Sequence, residues 1–127
     1  MRLIEHNPVD GIYPADDYVH AIEVREARRT LYVAGTMGLK PDWSAGKDID
    51  EQLELVWSNI RTILASAGMS VDNIVRLTSY LRDRSYMTKN AEARLKALGS
   101  RKIPTTAIVA ETLLDDWLVE IEVIAAD

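Results

Sequence analysis

Residues 117–127, Trp-Leu-Val-Glu-Ile-Glu-Val-Ile-Ala-Ala-Asp, alternate in polarity over most of their length. Val119, Ile121 and Val123 fall on one side, and Glu120, Glu122 and Ile124 on the other. A helix would scatter these residues around its circumference, whereas a strand sorts them onto two faces. A strand with one apolar face needs neighbouring strands and a covering layer, so this segment commits the chain to a sheet with something packed on one side.

The rest of the chain supplies both. Residues 18–24 alternate, with Tyr18, His20, Ile22 and Val24 on one face, and 30–34 are rich in β-formers. The polar segment 25–29 between them predicts a hairpin. The lead-in 1–16 carries Asn7-Pro8, Asp10-Gly11 and Pro14, which predict irregular chain with at most a short edge strand. Residues 39–47 hold Pro41, Ser44 and Gly46 and predict an exposed loop. Asp48 then offers a helix cap, with Glu51 three residues on. Leu53, Val56, Trp57, Ile60, Ile63, Leu64 and Ala67 recur at helical spacing until Gly68 stops the helix. Residues 74–81 predict a third strand. Residues 85–98 predict a second helix with Met87, Ala91, Leu95 and Leu98 inward, ended by Gly99. Strands at 105–110 and 117–125 complete the order ββαβαββ, joined by a short connection at 113–116. The expected class is α+β, a single mixed β-sheet with both helices on one face, in one domain spanning 1–127.

The other sheet face is then expected to carry Glu120, Glu122, Thr78 and Tyr80, but also Ile74, Ile108 and Ile124. A half-apolar open face predicts an oligomer. The chain has no cysteine, which removes disulfides, thiolate metal sites and a cysteine nucleophile. Its two histidines, His6 and His20, stand fourteen residues apart and make a weak metal signal. No metal and no organic cofactor are expected. With twenty acids against fifteen bases the net charge is −5, contrary to what a phosphate-backbone binder needs. No stretch reaches membrane-spanning length and the N-terminus lacks a signal-peptide pattern, so a cytoplasmic protein is expected, without nucleic-acid or membrane partners.

The alternating tail, together with Gly-Met-Ser-Val-Asp-Asn-Ile-Val at 68–75, resembles the Rid family, the YjgF-type reactive intermediate deaminases. The similarity runs from Tyr18 to Ala125 and rests on element order and short motifs. It implies a chorismate mutase-like fold assembled as a homotrimer, with sheets lining a central barrel and small-molecule sites in the clefts between subunits. It also implies hydrolysis of enamines or imines. Some family members have been linked to RNA cleavage, which the charge balance here does not support.

From pattern alone, Glu120 and Glu122 are either two solvated glutamates or a carboxylate set to position water in a cleft. The resemblance assigns the water-orienting role to the first glutamate, Glu120. It matches Tyr18 to a cleft tyrosine, although Asp16-Asp17 stand where the family reads Gly-Pro; without the resemblance Tyr18 is a half-buried strand residue. Ala34-Gly35-Thr36 occupies the place of Ser-Gly-Gln, so Ala34 and Gly35 fall in the substrate region without the serine hydroxyl. Asn90 matches an asparagine that reaches the neighbouring subunit's cleft, and is otherwise a surface helix residue.

The main departure is at Pro104-Thr105-Thr106-Ala107, where the family reads Pro-x-Arg-Ser/Thr and the arginine holds the substrate carboxylate. Anchoring on Pro104 puts the arginine position at Thr106; counting back from Glu120 shifts it by one, toward Thr105. A threonine offers one neutral hydrogen bond in place of a charged bidentate pair. Weak hydrolysis of 2-imino acids is therefore expected, with Thr106→Arg raising it, unless another cation such as Arg76, Arg82, Arg101 or Lys102 serves as anchor. Two functions follow. One is a hydrolase with specificity altered from 2-imino acids. The other is a non-catalytic trimer that binds a small metabolite or a protein partner in the same clefts.

Overall fold

The computed structural model describes residues 1–127. Its elements are β1 (Arg2–His6), β2 (Ala21–Arg25), β3 (Thr30–Tyr32), β4 (Thr36–Met37), α1 (Ile49–Ser66), β5 (Ile74–Leu81), α2 (Met87–Ala97), β6 (Thr105–Val109) and β7 (Val119–Ala126). The class is α+β with two helices and a mixed sheet, as expected. The five-stranded sheet runs β3-β7-β5-β6, with β4 also pairing β7. Only β5–β6 is parallel, and α2 makes the crossover that such a pair requires.

The expected hairpin through 25–29 does not form. β2 pairs instead with β1, from Arg2↔Arg25 to His6↔Ala21, as a separate two-stranded ribbon. The segment that follows is captured by the end of β7. The N–H groups of Arg28 and Arg29 both donate to the Asp127 carbonyl, and the Arg29 guanidinium pairs with the Asp127 carboxylate. The chain thus crosses to the main sheet rather than folding back.

The tail alternation is realised in full. Val119, Ile121, Val123 and Ala125 are buried, while Glu120, Glu122 and Ile124 are half-buried on the opposite face. α1 starts where expected, with the Asp48 carboxylate accepting from Glu51 N–H at 2.9 Å. Its side chains Leu53, Val56, Trp57, Ile60 and Leu64 join Leu77, Leu81 and the inward residues of β7 in one core. Ile63 is half exposed and stands outside that stripe.

Two inward faces differ from expectation. Ile74 belongs to the core rather than the open face, because a bulge between Ile74 and Arg76 shifts the β5 register against β7. On α2 the buried residues are Asn90, Arg94 and Ala97, followed by Leu98, whereas Met87 is exposed. Arg94 accounts for this rotation. Its guanidinium donates to the Asp17 carboxylate and carbonyl, both at 2.8 Å, and its stem packs inward.

Candidate functional site

The β7 strand places Glu120 between Met37 of β4 on one side and Tyr80 of β5 on the other. Between β3 and β4 the chain passes Gly35 directly beneath the Glu120 side chain. A β-carbon at Gly35 would lie 2.9 Å from Glu120 Cδ and collide with Oε2. The glycine is therefore a seat for the carboxylate, a role sequence pattern could not separate from a strand-ending turn. Burial raises the Glu120 pKa above its ordinary value, and the neighbouring Glu122 charge adds to the rise.

The rest of the open face is ordered by register. Glu122 opposes Thr78, which opposes Thr106 on β6; Ile124 opposes both Arg76 and Tyr32. Tyr80 Oη donates to Glu122 Oε1 at 2.6 Å, and this bond is the main reason the tyrosine pKa is raised. Arg76 Nη2 donates to Thr106 Oγ1 at 3.0 Å. A recess of about 330 Å³ lies against Tyr32, Arg76, Thr78, Glu122 and Ile124. A second groove, about 440 Å³, continues from Ala34 and Gly35 to the exposed Trp43. A further groove, about 520 Å³ between α1 and α2, touches none of these residues.

The structure brings together Glu120 and Gly35, with the exposed Ala34 beside them. It puts Thr106 on the Glu120 face, as registration from Pro104 requires. Thr105 opposes core Leu77 and turns its hydroxyl back to the Ile103 carbonyl at 3.0 Å. Within one chain, no hydrogen bond or strand pairing joins Tyr18 or Asn90 to this cluster. Tyr18 precedes β2, next to Val19, whose N–H donates to the Ile103 carbonyl; its ring meets His20 edge-on at 5.7 Å. Asn90 is buried under α2 rather than on the surface, and its Oδ1 has no hydrogen-bond partner.

Sequence reasoning missed the polar residues that hold this end of the sheet. Gln52, 2% exposed, donates to the carbonyls of Gly46 and Asp116 and accepts from Leu118 N–H. It thereby ties the 38–46 loop and the turn before β7 to α1. Asn59 donates to the carbonyls of Met37 and Leu39, both at 3.0 Å, and so fixes β4 beside Glu120. A polar residue on the apolar stripe of a helix was the available signal for Gln52.

Gly35→Ala is expected to fold and to displace the Glu120 carboxylate. An ångström of misplacement costs about ten- to a hundredfold in rate when position governs catalysis. Steady-state turnover against wild type measures this, and an unchanged rate would mean that the seat has no role.

The profile of the endoribonuclease L-PSP family matches residues 9–127. A RutC family protein of Pyrococcus abyssi is 33% identical over 114 residues, covering 88% of this chain and 87% of its own length. Its counterpart from Pyrococcus horikoshii is 32% identical, with 88% of each chain covered. A Rid-family protein of unknown function from Yersinia pestis superposes with a TM-score of 0.85 at 25% identity, over the whole of both chains.

Proposed function

The chain belongs to the endoribonuclease L-PSP family, the Rid family, and from that premise we propose that it is a small cytosolic homotrimeric hydrolase of reactive enamines or imines. The observation that carries the reading is the seating of Glu120. Its carboxylate lies against a bare glycine Cα, partly desolvated, with its pKa raised by burial and by Glu122. Water adds to the C=N carbon while Glu120 takes a proton from it. The proton passes to nitrogen to give a carbinolamine; its hydroxyl proton then moves through Glu120 to the amine as the carbon–nitrogen bond breaks, and ammonia and a carbonyl compound leave. The exposed Ala34 and Thr106, in place of serine and arginine, support a specificity shifted from 2-imino acids. They equally support the second reading, a trimer that only binds a small metabolite or a protein partner. Ammonia release from imines generated in situ by an amino acid oxidase, in coupled assay, separates the two; no release from any imine tested would leave binding alone.

Assembly rests on the surface. Tyr32 is 77% exposed, and Ile108 and Val109 are about half exposed on β6, an unpaired sheet edge. Such an edge with apolar side chains calls for a partner. Tyr18 and Asn90, which make no hydrogen bond to Glu120 within one chain, are proposed to complete the cleft of a neighbouring subunit. Light scattering at micromolar concentration is expected to give a trimer mass; a stable monomer would remove the intersubunit cleft.

A further inference from the structure

We propose that Arg94 is the positioning residue for Tyr18: its buried guanidinium, on α2, fixes the backbone just ahead of that tyrosine and so sets where the ring enters the neighbouring subunit's cleft. Its effect on turnover rests on the hydrolase reading above; its hold on the ring does not. Arg94 is 4% exposed, and both of its terminal nitrogens serve one residue of the lead-in. Nη1 donates to the Asp17 carbonyl and Nη2 to the Asp17 carboxylate, each at 2.8 Å. A carboxylate contact alone would leave the main chain free to turn about the side-chain torsions of Asp17. The bond to the carbonyl removes that freedom, because this oxygen lies in the peptide plane that joins Asp17 to Tyr18. Both bonds carry the guanidinium charge and are strong for that reason.

The chain is held again on the far side of the tyrosine. Val19 N–H donates to the carbonyl of Ile103, a core residue ahead of β6, at 3.3 Å. That N–H lies in the plane joining Tyr18 to Val19. Both peptide planes that flank the Tyr18 Cα are therefore tied, one to α2 and one to the approach to β6. The half-buried tyrosine keeps only its side-chain torsions. His20 narrows these in turn, its ring edge-on to Tyr18 and its Nε2 on the Tyr13 carbonyl at 2.8 Å. Among these ties only Arg94 comes from a helix and carries a charge. Asp17 has no other cation within ion-pair distance, and Arg94 has no other carboxylate. An apolar side chain would fill the same inward position without the cost of desolvating a guanidinium. What the arginine adds is direction: a fixed grip on one carbonyl, one bond ahead of Tyr18.

The test follows the ring directly, in full-length protein labelled with fluorotyrosine. The Tyr18 fluorine line is identified by its loss in Tyr18→Ala. It is expected to be single in wild type and to shift and broaden in Arg94→Met, while the Tyr80 line stays in place. Arg94→Lys keeps the charge but not the fork, and its Tyr18 line is expected to fall between the two. This guards against a folding defect in the methionine variant. Replacing both partners, in D17L/R94M, removes the buried charges together and is expected to recover the unfolding midpoint but not the wild-type line. In turnover, Arg94→Met is expected to lower kcat/KM by about ten- to a hundredfold. In a Tyr18→Ala background it should lower kcat/KM no further, because the residue it acts through is gone. A wild-type Tyr18 line in Arg94→Met or in D17L/R94M overturns the proposal, as do rate effects of Arg94→Met and Tyr18→Ala that multiply. A line displaced in the Arg94 variants, with no imine turned over by wild type, would remove the hydrolase reading and leave the positioning role. Turnover by wild type with line and rate both indifferent to Arg94 would do the reverse.

Discussion

Ile60→Ala is expected to destabilise the protein by about 2–5 kcal/mol, the range for truncating a fully buried aliphatic side chain. Ile60 has no exposed surface and sits on α1 in the core shared with Leu77, Leu81 and the inward residues of β7. Val56, Trp57 and Leu64 pack along the same stripe, so the space left by the deleted carbons is walled by other side chains and closes poorly. Ile63→Ala, three residues on but half exposed, is the matched control and should change stability far less. Denaturant unfolding at one fixed protein concentration measures both, because assembly couples stability to concentration. Equal effects of the two substitutions would mean that α1 does not bury the face described.

The scaffold was legible wherever one periodicity dominated. The tail alternation places β7 correctly and sorts its glutamates from its valines. The stripe from Leu53 to Leu64 did the same for α1, because a long amphipathic pattern offers few alternatives. Failures came where pairing, rather than pattern, decides. Nothing local in 25–29 tells a hairpin from a crossover; the answer lies in Asp127, at the far end of the chain. The bulge that moves Ile74 into the core is likewise a property of two strands together. On α2, the periodic Met87-Ala91-Leu95 stripe lost to a buried arginine whose partner, Asp17, lies in the lead-in.

The candidate site shows the same division. Glu120 and Gly35 meet, and Thr106 lies on the same face of the sheet, since each is set by a strand or its immediate end. What joins them was invisible. The seat beneath Glu120 and the reach of Arg76 to Thr106 both depend on strand order, and in particular on β6 running parallel beside β5. Tyr18 and Asn90 could be placed relative to Glu120 only by an assembly, which one chain does not contain.

Glu120→Gln is expected to lower imine turnover by about 10²–10⁴-fold, the usual worth of a positioned general base. The amide keeps the size of the side chain and an oxygen over Gly35, but it takes no proton from water at neutral pH. The pH profile adds an independent readout. Glu120 acts as a base only when ionised, and burial together with Glu122 raises its pKa. The acid limb of kcat/KM should therefore lie at higher pH than an unperturbed glutamate would give, with activity lost as pH drops through it. Glu122→Gln removes the neighbouring negative charge, so the limb should move to lower pH while activity near neutrality persists. A Glu120→Gln enzyme within a few fold of wild type, with its acid limb unmoved, would sink the role given to this carboxylate. Wild-type turnover would then need a base from elsewhere in the assembled cleft.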